Sequence, residues 1–372
     1  MKLRPLVALA IAALALGSAL AACGDSGEDG GGEEAPAIGG DYGSFFGIAP
    51  SEIPNDTDLA RMTAGGIGSY HVLLSWQTVE TLKGIYDWTT YDTEFMRLAE
   101  YGIEPVPYVI GTPAAYEDSS SIPPTNDPEA FDAWAKFLKA AVARYGPGGE
   151  FWQALEVGRP DLVPQPPRAW EIWNEPNSAV FWSPAPDPDA YAELLKRSSR
   201  VIKAVDPEAK VMTAGMFITP QSEGAINSID FLRQVYDHRG IADAIDIVGV
   251  HPYGPDTEAS IDQVDKTRAL VDEVGDDASL WVTEIGWGSD PDAGKDLGKT
   301  PEQQGELLAS TLGELLDRRE ELRLDGVIWF TWRDVDTGVD CAWCASAGLV
   351  DADRDSKPAW IAFTDLTGGD PG

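Results

Sequence analysis

Short apolar segments alternate with longer amphipathic segments along most of the chain. Eight short segments are rich in β-branched and aromatic residues and are bounded by turn-forming residues, which is typical of buried strands. Between them, apolar positions recur with helical spacing, most clearly over 301–322. Strands that alternate with helices indicate a parallel sheet. Eight such pairs predict an α/β protein with a single (β/α)8 TIM-barrel domain over 42–372.

The boundaries of these elements can be read from the pattern of apolar and turn-forming residues. We predict strands at 45–48, 69–74, 103–110, 169–173, 210–214, 245–250, from 280 onward, and 326–331. We predict helices after a cap at Asn55 or Asp56 and at 91–101, 128–145, 188–205, 229–238, 261–274, 301–322 and 357–366. The segment 146–167 has no clear periodicity and supports no assignment.

The first 22 residues have the pattern of an export signal. Lys2 and Arg4 precede an apolar run over 6–16, which is short for a transmembrane helix, and small residues follow it. The residues before Cys23 resemble a bacterial lipobox, which implies cleavage there and lipidation of the Cys23 thiol. The alternative is an ordinary signal peptide with an incidental cysteine. We expect a lipoprotein on the outer face of a bacterial cell membrane, with 23–41 as a disordered Gly-rich and acidic tether.

Charge and composition narrow the possible partners. The formal net charge is −35, from 27 basic and 62 acidic residues, so nucleic acids and anionic surfaces are repelled and a neutral substrate is favoured. The three histidines are scattered, and no cluster of His, Cys and carboxylates has metal-ligand spacing, so we expect neither a metal nor a cofactor. No partner protein is indicated, and we expect a monomer.

Two of the predicted strands end in a glutamate. Asn174, Glu175 and Pro176 follow the fourth strand, and Glu284 is carried by the seventh. The carboxyl ends of barrel strands meet at one face, where the enzymes with this fold keep their catalytic groups. The alternative is that both glutamates are structural, one at a helix start and one in a salt bridge.

These motifs resemble those of the clan A glycoside hydrolases. Trp-Asn-Glu-Pro at 173–176 and Thr-Glu-Ile-Gly-Trp at 283–287 match the ends of strands four and seven in the cellulase-like and β-xylosidase-like families. The segment 75–92, the triplet 251–253, Trp329, and the segments 348–350 and 357–360 extend the resemblance over 45–363. One departure is His71, which stands where these enzymes often carry a strand-two arginine, and this leaves the subfamily and substrate unassigned.

The resemblance implies a retaining glycoside hydrolase that uses two glutamates. Glu175 would be the general acid/base, with its pKa raised by an apolar collar that includes Trp173 and by the charge of Glu284. Glu284 would be the nucleophile, and the two carboxyl groups should then lie about 5–5.5 Å apart. The substrate would be an oligo- or polysaccharide of plant or microbial origin, cleaved at O-glycosidic bonds that are mostly β in this clan.

The resemblance also suggests residues that contact the sugar. Asn174 would bind the 2-hydroxyl, and Tyr253 would donate a hydrogen bond to Glu284. His251 is either a buried, hydrogen-bonded support or a direct sugar contact. Trp329 would form the floor of the −1 subsite. Further subsites would be lined by Trp76, Trp182, Trp287 and Trp343, although core packing is the alternative for each.

Cys341 and Cys344 are expected to form a disulfide. In an exported protein a Cys-x-x-Cys pair is more often a local disulfide than a redox centre, and with Cys23 lipidated only these two cysteines remain. The bond would stiffen a loop at the catalytic face.

Two other functions are compatible with the same barrel. A non-catalytic carbohydrate-binding surface lipoprotein would keep the aromatic residues, but it should have lost one of the two glutamates, and this chain retains both. A purely structural surface protein gives no reason for glutamates at the ends of strands four and seven.

Overall fold

A computed structural model describes residues 42–217, 224–294, 296–335 and 341–372. The signal peptide, Cys23 and the tether predicted over 1–41 lie outside the described residues. None of the helices in these ranges is long and apolar enough to cross a membrane.

Eight parallel strands form a closed barrel in which each strand pairs with the next along the chain and the last pairs with the first. The strands are β1 (Phe46–Ile48), β2 (Ser69–Ser75), β3 (Glu104–Ile110), β4 (Ala169–Ile172), β5 (Lys210–Thr213), β6 (Ile247–Val250), β7 (Ser279–Ile285) and β8 (Leu324–Trp329). The predicted (β/α)8 barrel is therefore confirmed.

Helices connect the strands and surround the barrel. They are α1 (Asp56–Ala64), α2 (Trp76–Val79), α3 (Thr89–Glu100), α4 (Pro128–Tyr145), α5 (Glu150–Gly158), α6 (Pro188–Val205), α7 (Ser228–Tyr236), α8 (Thr257–Glu273), α9 (Pro301–Asp317), α10 (Arg319–Leu322) and α11 (Pro358–Thr367). Asp127, Asp187 and Asp256 cap α4, α6 and α8, each accepting a hydrogen bond from the backbone N–H three residues on.

The interior of the barrel is filled by alternate residues of the strands. Val106, Met212, Ile247, Trp281 and Ile328 form this small inner cluster, while most other apolar residues lie in the layer between strands and helices. Trp281 has room because residue 326, on the neighbouring strand, is a glycine whose absent Cβ would lie 2.6 Å from the indole Nε1. The inner cluster supports the polar groups above it.

Three local predictions differ from the structure. The helix predicted over 301–322 is interrupted at Arg318, between α9 and α10. Trp76, expected where strand two ends, begins the helical turn α2. The segment without an assignment contains α5, in which only Phe151 and Trp152 are buried. Two adjacent buried residues give no helical period, so the apolar pattern could not reveal this helix.

We expect Trp281→Ala to lower the free energy of unfolding by about 3–5 kcal/mol, because it empties the centre of the barrel. Urea unfolding followed by fluorescence measures the change. Val157→Ala on α5, whose residue is 87% exposed, is the control and should change stability by less than about 0.5 kcal/mol. Equal effects of the two substitutions would contradict the assignment of Trp281 to the core.

Candidate active site

Glu175 is held at the carboxyl end of β4 by an unusual backbone path. Trp173 and Glu175 both adopt left-handed conformations, with φ of 74° and 42°. Neighbouring strands fix this path, since Trp173 N–H donates to the Val109 carbonyl at 2.9 Å and Glu175 N–H donates to the Gly215 carbonyl at 3.1 Å. Non-glycine residues with positive φ are costly and tend to occur at functional sites. The turn directs the buried Glu175 side chain over the barrel.

Glu284 reaches the same place because β7 contains an irregularity. Val282 pairs with Val327 and Ile285 pairs with Trp329, so two residues of β7 lie opposite a single residue of β8. A bulge of this kind breaks the strict alternation of side chains. It lets the consecutive residues Thr283 and Glu284 both contribute to the site.

The two glutamates and His251 form one cluster. Their nearest carboxylate and imidazole atoms all lie within 4.8 Å of one another. Nδ1 of His251 lies 2.9 Å from Oε1 of Glu175 and 3.8 Å from Oε2 of Glu284. The hydroxyl of Tyr253 donates a hydrogen bond to Oε2 of Glu284 at 2.9 Å, as expected from the sequence. This separation is nearer to the roughly 5–5.5 Å of retaining glycosidases than to the roughly 6.5–9.5 Å of inverting ones.

Burial shifts the pKa values of all three groups towards their neutral forms. It raises the pKa of Glu175 well above its ordinary value, and the charge of Glu171 adds to this effect. Burial also raises the pKa of Glu284, whereas His251 and the Tyr253 hydrogen bond oppose that rise. Burial lowers the pKa of His251. Repulsion between the two glutamates raises the pKa of Glu284. The sequence prediction is that this repulsion raises the pKa of Glu175 instead.

His71 does not support Glu284 directly. Its Nε2 lies 2.7 Å from Oε2 of Glu171, and both side chains are fully buried. The other Glu171 oxygen accepts hydrogen bonds from the Gly215 N–H at 2.7 Å and from the Thr283 hydroxyl at 3.3 Å. Sequence reasoning missed Glu171 and Thr283. Their signal was the alternation along β4 and β7, which places both on the inner side together with Ala169 and Trp281.

Asn174 lies next to Glu175 and is only 6% exposed. Its Oδ1 has no hydrogen-bond partner among the described residues. An unpaired buried acceptor is costly, and native proteins rarely keep one unless a ligand or water satisfies it. This position agrees with the expected contact to a substrate hydroxyl.

The tryptophans predicted to contact sugar are mostly buried. Trp329, Trp287, Trp76 and Trp182 have at most 1% of their surface exposed. The indole N–H groups of the first three donate to Ala347 O, Gly254 O and Glu80 Oε2. The prediction of Trp329 as the subsite floor and of Trp76, Trp182 and Trp287 as subsite linings is therefore wrong. These rings fill the layer between barrel and helices, because Ile328 rather than Trp329 faces the barrel interior.

Four partly or largely buried rings instead form a wall beside the glutamates. The ring centroids of Tyr253 and Phe217 are 4.9 Å apart, those of Tyr253 and Trp343 are 5.0 Å apart, and those of Trp343 and Phe330 are 5.8 Å apart. Trp343 is the one predicted subsite tryptophan that stays partly exposed. Phe330, next to Trp329, packs against the inner barrel cluster. The sequence prediction placed Trp329 on this side of β8, which is one residue away from the observed position.

The predicted disulfide between Cys341 and Cys344 is confirmed, with an S–S distance of 2.07 Å. It encloses Trp343, which begins a short 3-10 helix over Trp343–Ser346. The Ser346 carbonyl accepts a hydrogen bond from the Ser289 N–H at 2.8 Å, which ties this loop to the loop after β7. The disulfide therefore restrains the loop that carries Trp343.

Glu175, His251 and Glu284 are also the cluster in the described part of the chain whose spacing would suit a metal ion. Nδ1 of His251 and Oε1 of Glu175 already contact each other at hydrogen-bond distance, and Tyr253 donates to Oε2 of Glu284. Burial favours a neutral acid and a neutral imidazole here. We therefore interpret the cluster as two carboxyl groups with separate hydrogen-bond partners, His251 for Glu175 and Tyr253 for Glu284.

No protein-family model matches the chain. Solved structures with the same fold include a family 39 glycoside hydrolase from Bacteroides cellulosilyticus WH2, which is 23% identical, with a TM-score of 0.66 over 87% of this chain and 63% of that one. A monomeric β-xylosidase from Caulobacter crescentus CB15 is 21% identical, with a TM-score of 0.60 over 87% and 68%. A glucosidase from Croceicoccus marinus is 17% identical, with a TM-score of 0.61 over 88% and 68%.

These similarities confirm the barrel that the resemblance to clan A implied. The chain spans less than two thirds of the length of the family 39 enzyme. At these identities the comparisons establish the fold, and the chemistry has to be argued from the site.

We expect Glu175→Gln to be more stable than the native chain at alkaline pH, by on the order of 1 kcal/mol. A buried carboxyl with a raised pKa stabilises the fold below its unfolded-state pKa, and this contribution is lost as the pH rises through the folded-state pKa. The amide cannot ionise and still offers a donor to His251.

Urea unfolding at pH ~5 and pH ~9 measures this difference, which should grow with pH. Glu156→Gln, at an exposed carboxyl on α5, is the matched control. If the Glu175→Gln variant gained nothing between the two pH values, Glu175 would not be a buried acid with a raised pKa.

Proposed function

We propose that this protein is a retaining glycoside hydrolase that cleaves β-linked neutral oligo- or polysaccharides. The observation that carries the proposal is the pair of carboxyl groups, Glu175 and Glu284, brought within 4.8 Å at the ends of β4 and β7. Strand-end carboxyls at this spacing, one of them strongly biased towards its protonated form, are the equipment of double-displacement glycoside hydrolysis.

The two glutamates take different roles because their surroundings differ. Glu175 is the more deeply buried, and in its protonated form it donates a proton to the leaving oxygen. Glu284 accepts the Tyr253 hydrogen bond, which favours its carboxylate, and this carboxylate attacks the anomeric carbon. Glu175 then removes a proton from a water molecule that hydrolyses the glycosyl-enzyme, so the product keeps its configuration. Asn174 binds the 2-hydroxyl with its unpaired Oδ1.

The charge of the protein and the composition of the site support a neutral sugar. The chain carries a net charge of −35, and the described contacts of Glu175 and Glu284 include no Lys or Arg that would receive an acidic sugar. The partly exposed rings of Trp343, Phe217 and Phe330 offer apolar faces of the kind that sugar rings stack on. The β-xylosidase and the glucosidase with the same fold favour β-linked glucans and xylans as the first substrates to test.

The first experiment is product release from β-glucans, xylans, mannans, galactans and aryl glycosides. We expect Glu284→Ala to lose this activity and to regain it with azide as a glycosyl azide of inverted configuration. Glu175→Ala should lose about 10²–10⁴-fold with substrates whose leaving group needs a proton. Glu156→Ala is the control, and a chelator should leave the native activity unchanged.

Saturable binding of one glycan without release of product would contradict the proposed hydrolase. That result would instead favour a non-catalytic carbohydrate-binding protein on the same barrel.

We also propose that the protein acts as a monomer held by a lipid on Cys23 at the outer face of a bacterial cell membrane. The lipobox-like residues before Cys23 and the Gly-rich acidic segment after it support this location. Cys23→Ser should move the protein from the membrane fraction to the soluble fraction, with the activity per molecule unchanged. A variant that stayed with the membrane would contradict the lipid anchor.

A further inference from the structure

Two buried glutamates are linked through a threonine and a histidine. The Thr283 oxygen lies 3.3 Å from Oε1 of Glu171 and 3.1 Å from Nε2 of His251. The other imidazole nitrogen, Nδ1, lies 2.9 Å from Oε1 of Glu175. The chain of contacts runs from inside the barrel to the proposed acid, and the mechanism described above gives no role to its first two members.

The contacts of Glu171 determine which atom donates in each hydrogen bond of this series. Oε1 of Glu171 already accepts the N–H of Gly215 at 2.7 Å, so this oxygen is an acceptor and the Thr283 hydroxyl donates to it. A hydroxyl has a single hydrogen, and the Thr283 oxygen must therefore accept from Nε2–H of His251. A neutral imidazole with its hydrogen on Nε2 has only a lone pair at Nδ1. The contact between Nδ1 and Glu175 then requires a hydrogen on the Glu175 carboxyl.

We propose that Thr283 and Glu171 are positioning residues that fix His251 in its Nε2–H tautomer and thereby keep the proton on Glu175. The inference rests on the proposed function, since it explains how the general acid stays protonated between turnovers. It assigns a task to a carboxylate and a hydroxyl that do not touch the substrate.

Gly215 and His71 also fit the hydrogen bonds that lead from His251 through Thr283 to Glu171. A Cβ on residue 215 would lie 2.1 Å from the His251 Nε2 and 2.6 Å from the Thr283 Oγ1, so the glycine makes room for their hydrogen bond. Nε2 of His71 lies 2.7 Å from Oε2 of Glu171, and the buried Nδ1 of His71 has no partner among the described residues. Because His71 contacts Oε2 of Glu171, Oε1 remains available to accept from the Gly215 N–H and the Thr283 hydroxyl.

The other titratable groups around the acid do not reverse this arrangement. They are Tyr253 on the loop after β6, Glu284 on β7, His71 on β2 and Tyr108 on β3. Tyr253 donates to Glu284 rather than to Glu175. Burial and the charge of Glu171 raise the pKa of Glu175, and burial lowers the pKa of His251. These effects favour a neutral acid–imidazole pair over an ion pair.

The arrangement also serves the second half of the reaction. When Glu175 has given its proton to the leaving oxygen, its carboxylate faces the lone pair of Nδ1 rather than a donor. That carboxylate is poorly stabilised, and it readily takes a proton from the attacking water. The same contact therefore keeps Glu175 protonated before the first step and favours recovery of the proton in the second.

The tautomer can be measured without any enzymatic activity. The full chain has three histidines, and 15N-histidine NMR distinguishes the two neutral tautomers and the imidazolium. Signals from His238, which bonds to Asp189 at the surface, are removed with His238→Gln. Of the two remaining histidines, we expect His251 to be neutral with its hydrogen on Nε2 near neutral pH. An Nδ1–H tautomer or an imidazolium at His251 near neutral pH would overturn the proposal.

Substitution of Thr283 tests the cause. In Thr283→Val the Nε2–H loses its acceptor, and we expect His251 to shift towards the Nδ1–H form, which donates to the Glu175 carboxylate and lowers its pKa. Thr283→Ser keeps the hydroxyl and should keep the native tautomer. If the Thr283→Val variant folds and His251 keeps its native tautomer, Thr283 does not control it.

The same variants give a kinetic signature once a substrate is known. The alkaline limb of kcat/KM should move to lower pH by about one unit in Thr283→Val, since a carboxylate that gains a donor titrates lower. Aryl glycosides with strongly acidic leaving groups need no proton and should react at nearly the native rate. An equal loss with all leaving groups would indicate a structural role instead. Absence of activity in the native chain would contradict the proposed function, while the NMR result would still decide the tautomer.

Discussion

The structure of the site depends on three carboxyl groups that lie close together and contact no Lys or Arg among the described residues. Glu171, Glu175 and Glu284 make their close charged or polar contacts with histidines, hydroxyls and backbone N–H groups of the described residues. An isolated charge in such a place is costly, so the groups cannot all be ionised at once without strong repulsion. The protein resolves this by giving each carboxyl a different set of hydrogen-bond donors. Unequal donor sets turn three similar side chains into groups with different tasks.

The barrel supplies those donors by bringing distant parts of the chain to one face. His71 comes from β2, Gly215 follows β5, His251 follows β6, and Thr283 lies on β7. Each strand contributes one or two groups, and the register between neighbouring strands sets the heights at which they meet. The left-handed turn at Glu175 and the bulge before Ile285 are local departures from regular geometry at this face. Such irregularity is found where a regular strand would direct the side chain elsewhere.

The order of strands and helices, the barrel and the disulfide could be predicted from the sequence, because apolar periodicity and cysteine spacing reflect local constraints. The roles expected for Trp329, Trp287 and Trp76 could not, because a tryptophan in a strand packs equally well on either side of a barrel wall. A shift of one residue along β8 would exchange the sides on which Trp329 and Phe330 lie. A single sequence does not determine which of the two faces the barrel interior. Strand alternation places Glu171 and Thr283 on the inner side of the barrel, but it does not show that their polar groups contact each other, because that contact joins two strands distant in the chain.

The disulfide between Cys341 and Cys344 has a consequence for the time at which the site becomes complete. It restrains Trp343, the ring that joins Tyr253 to Phe330 in the aromatic wall. Thiols of this kind stay reduced in the cytosol and pair in oxidising compartments. Hydrogen bonds already tie this loop to the loop after β7, and the disulfide adds a covalent restraint that forms only on oxidation. The rigidity of this part of the aromatic wall therefore depends on the redox conditions around the folded chain.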